Sequence, residues 1–318
     1  MSKVKRNVLI IFTSIFVLLG AFVLFWYFGD SYPQFYKYCQ KEFAIHGLSE
    51  GFTPQGICFN ETTESFLYCG YMKNGSASRV YVYNKNSKQT KYITLNLTGE
   101  DYVGHAGGIE TDGTNVWIAG EKKVFRFELA DVLAAENNSA INIVDSFESP
   151  NGADFLCLNN GILWIGEFEK KGKYDTDETH HIDKNRAVSF GYRLNAGETC
   201  GIEQAPEVAL STRSLVQGMV ITDEKIALST SYSLPNSHIY IYQNPFANPT
   251  TETINVNDTD IPLYILTDEL LENAMTFPSM SEEMTISNGR VFVLFENACK
   301  KYAAFTREQL RSVYSFEI

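Results

Sequence analysis

One phrase recurs five times along this chain, and it limits the possible folds more than any other feature. Each copy has a turn-like start, a small or polar pair, a short apolar strand, a turn, and a second apolar or aromatic strand. The copies read TPQGICFNETTESFLYCGY from Thr53, HAGGIETDGTNVWIAGE from His105, PNGADFLCLNNGILWIGEF from Pro150, VQGMVITDEKIALSTSY from Val216 and MSEEMTISNGRVFVLFEN from Met280. Aligned, they bring Gly56, Gly108, Gly152, Gly218 and Glu283 to one structural position, at spacings of 52, 44, 66 and 65 residues. Asp112-Gly113, Asn160-Gly161 and Asn288-Gly289 supply hairpin chemistry, because Asn and Gly accept positive φ. The flanking runs VWIA, ILWIG and VFVLF are rich in β-branched and aromatic residues.

Third strands follow several copies: RVYVYN from Arg79, KVFRFEL from Lys123, SFGYRL from Ser189 and HIYIYQN from His238. Strict alternation in RVYVY and HIYIY marks half-buried strands. Helical signal is confined to short stretches near residues 130–136, 268–273 and 306–312. Short strands in repeating hairpins cannot bury both faces alone, so the expected fold is all-β, a β-propeller of five to six blades. A sixth blade would hide in one of the two long intervals or draw a strand from the segment near Cys39. A β-sandwich is the competing architecture, disfavoured by so long a period.

The 318 residues are 44% hydrophobic and carry a formal charge of −12. That is ample for a core and too apolar for disorder. No basic stripe appears, so the phosphates of nucleic acid would be repelled and no nucleic-acid partner is expected.

Residues 8–28 contain no charge and match the roughly 20 residues a bilayer-spanning helix needs. Lys3, Lys5 and Arg6 precede them, while Gly29 and Asp30 follow. The positive-inside rule then keeps residues 1–7 cytoplasmic and makes residues 8–28 a transmembrane signal anchor. Trp26, Tyr27 and Phe28 would stand at the outer headgroup level. A cleaved signal peptide is the rival, but the apolar run is long and no A-x-A-like site follows. The reading is a single-pass membrane protein, with residues 29–48 a stalk or entry strand and residues 49–318 an extracellular or lumenal propeller.

Six cysteines follow the span: 39, 58, 69, 157, 200 and 299. Export permits disulfides, and Cys39 with Cys299 is the pair that would staple the ends; buried free thiols are the alternative. Glycosylation sequons stand at Asn60, Asn74, Asn96, Asn137 and Asn257.

The openings TPQG, HAGGI, PNGADF and QGM resemble those of the six-bladed propellers of the strictosidine synthase, gluconolactonase and paraoxonase superfamily. The likeness covers residues 50–300 in pattern and is closest in letters at Pro150-Asn151-Gly152. In a propeller the start of each inner strand faces the central channel, so Gln55, Gly107, Asn151, Gln217 and Glu282 should converge, with His105 and Asp154 nearby. The ligand-binding expectation is Gln55, Asn151, Gln217 and Asp154. The resemblance implies one calcium ion polarising an ester or lactone carbonyl, with Asn151, Asp154 and Glu282 as ligands here. Gln55 and Gln217 stand where the family has Glu and Asp, and both replacements remove ligand charge. Calcium is thus the one cofactor the resemblance implies, and the weakened charge argues that none is bound.

Glu282 and His105 are the catalytic candidates, the first as acid or base of a strictosidine synthase-like site, the second as general base. The bland alternative for each is a channel residue bonded to backbone. The polar segment between Gly166 and Tyr192 carries His180 and His181, but adjacent side chains diverge and chelate poorly. The leading expectation is a membrane-anchored extracellular propeller that binds a small molecule or protein at its mouth. The alternative is a propeller hydrolase of esters or lactones, or a synthase-like enzyme, using the channel cluster. A third is a carbohydrate-binding or cell-envelope structural role.

Overall fold

A computed structural model describes residues 3–28 and 32–318. Residues 1–2 and 29–31 and the side chains of residues 3, 4, 8, 9 and 24–28 lie outside it, so the flanking Gly29 and Asp30 and the proposed aromatic belt at Trp26, Tyr27 and Phe28 are outside the described residues. The N-terminal helix Lys3–Phe28 has 26 residues. At 1.5 Å per residue it is about 39 Å long, enough to cross a hydrocarbon core of about 30 Å. Its described side chains are exposed.

The rest is a five-bladed β-propeller. The five inner strands are Phe52–Asn60, Gly108–Thr111, Phe155–Asn159, Val216–Ile221 and Ser281–Ser287. Neighbouring inner strands touch all the way round, the last closing on the first. Each pairs antiparallel with a second strand (Ser65–Met72, Asn115–Gly120, Ile162–Gly166, Lys225–Thr230 and Arg290–Phe295), and each sheet continues outward through a third and a fourth. All four expected third strands form: Arg79–Asn84, Lys123–Glu128, Ala187–Arg193 and Ser237–Gln243. Asn160-Gly161 and Asn288-Gly289 turn with both φ values positive, +50° and +74° in the first, +50° and +75° in the second. That is the geometry that matches strand twist in a two-residue hairpin.

No sixth blade hides in the long intervals. The first is lengthened by residues 167–186, the second by a hairpin, Thr253–Val256 with Thr259–Ile265, that extends the third sheet. The strand Gln40–Ala44 becomes the outer strand of blade 5, antiparallel to Ser312–Phe316. N- and C-terminal strands thereby share one sheet and close the ring without a covalent staple.

Five apolar clusters fill the gaps between adjacent blades. Leu67 and Val80 meet Ile118 and Phe125, for example, and Trp164 and Leu210 meet Met219 and Leu228. The chain therefore has five thin cores rather than one. All six cysteines are free. Cys39 lies beside the cluster between blades 4 and 5, whereas Cys299 belongs to the one between blades 5 and 1, so the fifth sheet separates the expected partners. Two helix expectations also fail. Residues 268–270 form one 3-10 turn before the strand Leu271–Phe277, and residues 306–311 run irregularly, with a bend, into the strand Ser312–Phe316. Leu129–Ala134 is helical as expected. Of the sequon asparagines, Asn60 is buried and accepts from Thr63, while Asn74, Asn137 and Asn257 are exposed.

Candidate functional site

One side chain ties the inner strands together at the centre of the ring. Glu283 is fully buried, and its carboxyl accepts backbone N–H groups from three other blades: Ile57 at 2.8 Å, Ile109 at 2.9 Å and Leu156 at 2.9 Å. Burial pushes its pKa well up, and these three donors pull against that. The glycines around it exist because a Cβ would not fit. One at Gly56 would lie 2.8 Å from a Glu283 oxygen, one at Gly108 2.7 Å from the other, and one at Gly218 2.5 Å from the Glu283 Cα.

The third blade corrects the alignment. The residue preceding Leu156, and so equivalent to Gly56 and Gly108, is Phe155 rather than Gly152. The Phe155 ring turns onto its own sheet over Gly166, where a Cβ would lie 2.0 Å from it. Gly152 stands three residues earlier in a turn at φ +85°. The mouth position expected for Asn151 accordingly belongs to Asp154.

Asn151 is buried inside blade 3. Its amide donates to the carbonyls of Ile165 at 2.9 Å and Val188 at 2.7 Å and accepts from Ser149 at 2.5 Å. It ties the second and third strands together, and those bonds occupy the side chain that the resemblance would give to calcium. Among the described residues no group of three or more His, Cys, Asp or Glu side chains is arranged to hold a metal ion.

Where the inner strands begin, the structure assembles a polar mouth. Bulges at Gln55, at Gln217 and at Glu282-Glu283 break the register of three inner strands and re-aim these side chains. Gln55 donates to Glu296 at 2.9 Å and to its neighbour's carbonyl at 2.7 Å. The Glu282 and Glu296 carboxyls share a hydrogen bond. Burial lifts Glu282 well above the carboxylate range and lifts Glu296 to about 7, the latter restrained by Lys301 and Gln55. Two buried carboxyls in contact cannot both ionise cheaply, so the pair retains a proton near neutrality.

Lys301 also bonds the Tyr71 hydroxyl, and Tyr71 stacks on His105 with ring centroids 5.1 Å apart. The His105 ring is open to solvent but sunk among protein atoms, as a side chain in a funnel is. That setting, with Lys301 adding to it, lowers its pKa to about 4, so it is a neutral base at physiological pH. Asp154, similarly sunk yet open, accepts from the Phe168 N–H at 2.7 Å, and burial raises its pKa. Gln217 is half-buried, with one long bond of 3.5 Å to the Ser231 carbonyl.

Gln55, Glu282 and His105 thus belong to one cluster. Asp154 flanks it across Gly107, whose added Cβ would meet the Asp154 carbonyl at 2.6 Å and the His105 ring at 3.2 Å. Asn151 lies elsewhere, and no contact joins Gln217 to the rest. The sequence reading missed Glu296, Lys301 and Tyr71. Glu296 and Tyr71 close second strands, three residues beyond those paired with Met284 and Ile57, so strand register was the signal for both.

Residues 167–186 are better anchored than a solvated loop. Buried Glu167 bonds His180 Nδ1 at 2.8 Å and accepts the Val188 N–H at 2.8 Å, while His181 points outward to Thr176. The two histidines diverge, as adjacent side chains should.

The opposite end of the channel differs. There the inner strands of all five blades line a cavity of about 390 Å³. Glu110 stands in it, accepting from Thr111 N–H at 2.9 Å and Leu158 N–H at 3.1 Å, and burial raises its pKa to about 7. Glu61 and Asp112 also line this cavity, and no basic residue does.

No protein-family model matches the chain, and no curated protein matches it in sequence. Among solved structures it is similar to hydrazine synthase of Kuenenia stuttgartiensis, at TM-score 0.37 and 13% identity over 83% of this chain and 74% of that one. It is also similar to the Dos1 propeller, at TM-score 0.34 and 9% identity over 88% of this chain and 75% of that one. Likenesses this weak do not reach function. The five-bladed assignment rests on the sheet topology.

Proposed function

We propose that this protein is a membrane-tethered, extracellular or lumenal propeller that binds a small polar ligand at the mouth where its inner strands begin. The arrangement that carries the reading is the Glu282–Glu296 carboxyl pair, with Gln55 bonded to it and with burial favouring its protonated form. Buried groups of this kind cost stability, and a site that uses them is the usual reason to keep them. A ligand amine would replace the shared proton with its own charge, so amines should bind more tightly, with release of that proton, as pH rises through 7. Lys3, Lys5 and Arg6, in the first turns of the helix ahead of its uncharged run, support a cytoplasmic N-terminus and an exported propeller.

The test is a screen of small polar molecules for binding to the full chain, repeated with Glu296→Gln. A hit at the mouth should weaken by about ten-fold or more when the charged acceptor is lost. Hits that bind Glu296→Gln as well as the parent chain count against the reading.

One observation favours an enzyme instead. Neutral His105 and a carboxyl pair with one pKa near 7 would form a base and an acid on one side of the channel. Turnover of aryl esters or lactones, lost in both Glu282→Gln and His105→Gln, would establish that reading. Lack of turnover on such a panel, with no calcium-dependent rise in melting temperature, would remove the calcium-assisted version.

A further inference from the structure

The way the chain enters the propeller sets which face meets the bilayer. Inner strands begin at the mouth, so second strands end there, and both the loops from second to third strands and the crossings between blades lie on that face. Tyr32 donates to Asn236, in the second-to-third loop of blade 4, at 2.9 Å. The short helix Pro33–Tyr38 follows, with its Tyr36 hydroxyl 3.0 Å from Glu308 in the corresponding loop of blade 5. Phe35 is buried against Phe277 and Phe295, both at strand ends on the same side. The anchor therefore joins the propeller at the mouth face. From Phe28 to Tyr32 the backbone spans at most about 14 Å.

The exposed apolar side chains of the propeller are distributed to match. Val103, Tyr174 and Phe305 stand on mouth-face loops and Tyr36 beside one, whereas Val144 stands at the far end and Tyr38 lies low on the side of blade 5, where the helix leads into Gln40 opposite Ser315. Lysines accompany these aromatics. Lys173 lies 5.0 Å from the Tyr174 ring and 5.4 Å from the Tyr232 ring, and Lys170 5.6 Å from Tyr232. Residues 296–311 hold Lys300, Lys301, Arg307 and Arg311 against Glu296 and Glu308, in a chain whose net charge is −12. At the far end the turns between inner and second strands carry Glu61, Glu64, Asp112, Asp223 and Glu224 and no Lys or Arg, while Lys85 and Lys88 stand in a hairpin further out. Amphipathic aromatic rings and snorkelling lysines are the side chains that settle at a lipid headgroup layer, and basic ones are drawn to anionic lipid.

We infer that the mouth face of the propeller, through Tyr174, Phe305, Val103 and the lysines around them, docks on the phospholipid headgroup surface of the membrane that holds its own anchor. The inference rests on the anchor reading above. It implies that ligands reach Glu282 and Glu296 from the headgroup layer and that the Glu110 cavity faces away.

The test is hydroxyl-radical footprinting of the full chain in vesicles of phosphatidylcholine and phosphatidylglycerol, compared with the same chain in detergent. Docking predicts several-fold lower modification of Tyr174, Phe305 and Tyr36 in vesicles, with Val144 unchanged. Combining Tyr174→Glu with Phe305→Glu, both exposed and tolerable to the fold, should return Tyr232 to its reactivity in detergent. Equal reactivity in vesicles and detergent, in a chain that resists carbonate extraction, overturns docking while the anchor stands. A chain that carbonate releases overturns the anchor, and docking with it.

Discussion

The two ends of the channel are built from the same five inner strands, yet they hold their carboxyls differently. At the far end Glu110 is single and bonded to two backbone N–H groups, in a cavity without basic residues. At the mouth Glu282 and Glu296 hold each other, with Gln55, Lys301, Tyr71 and His105 around them. Backbone donors fix a carboxyl in one place, whereas side-chain partners can be exchanged for a ligand's. The difference teaches that burial alone does not mark a binding site. What marks it is burial combined with partners that a ligand can replace.

Glu283 divides the two ends, and removing it should have the largest effect. Glu283→Ala leaves the N–H groups of Ile57, Ile109 and Leu156 unpaired at the centre of the ring. At about 1–3 kcal/mol each, the loss should exceed ~3 kcal/mol in denaturant unfolding. A loss below ~1 kcal/mol would mean that the axis does not depend on this carboxyl.

Next is Asn151→Ala, which leaves the Ile165 and Val188 carbonyls unpaired and should cost about 1–3 kcal/mol while mouth ligands still bind. Binding lost at unchanged stability would move Asn151 back to the mouth. Gly108→Ala should cost a similar amount, because its Cβ would meet Glu283 and Leu156 at 2.7 and 2.8 Å. Gly152→Ala, with open space around it but φ +85°, should cost about 1 kcal/mol.

The effect on pH dependence is read as a slope rather than as a single loss. Glu110 and Glu296 keep protons in the folded chain up to about pH 7, whereas an unfolded glutamate releases its proton near 4.5. Their folded pKa is raised, so the stabilisation is complete below about pH 4.5 and is lost as pH rises through 7. In that window each group should lower the unfolding free energy by up to ~1.4 kcal/mol per pH unit. Glu110→Gln and Glu296→Gln should each flatten the slope, and an unchanged slope would show that these carboxyls ionise normally.

Much of the fold was legible because strand alternation and Asn-Gly turns are local signals. VWIA, ILWIG and VFVLF each became the second strand of a blade. Blade count was not legible, since an edge hairpin at residues 253–265 and a loop at residues 167–186 lengthen a period as a blade would. The site was half legible. Gln55, Glu282 and His105 could be found from their place before the inner strands. Asn151 misled because its Pro-Asn-Gly turn precedes the true ring position by three residues, and Phe155 conceals that position where other blades have glycine. Glu296 and Lys301 arrive from a later strand and loop, joined to Glu282 only by register and packing, which no short motif encodes.

Soaking crystals of the full chain with a library of small polar fragments tests most directly which end of the channel works. Density is expected at the mouth, in contact with Glu296 and Glu282 and absent from Glu296→Gln crystals. Fragments that settle beside Glu110 among Phe59, Met219 and Ile286, leaving the mouth empty, would contradict it.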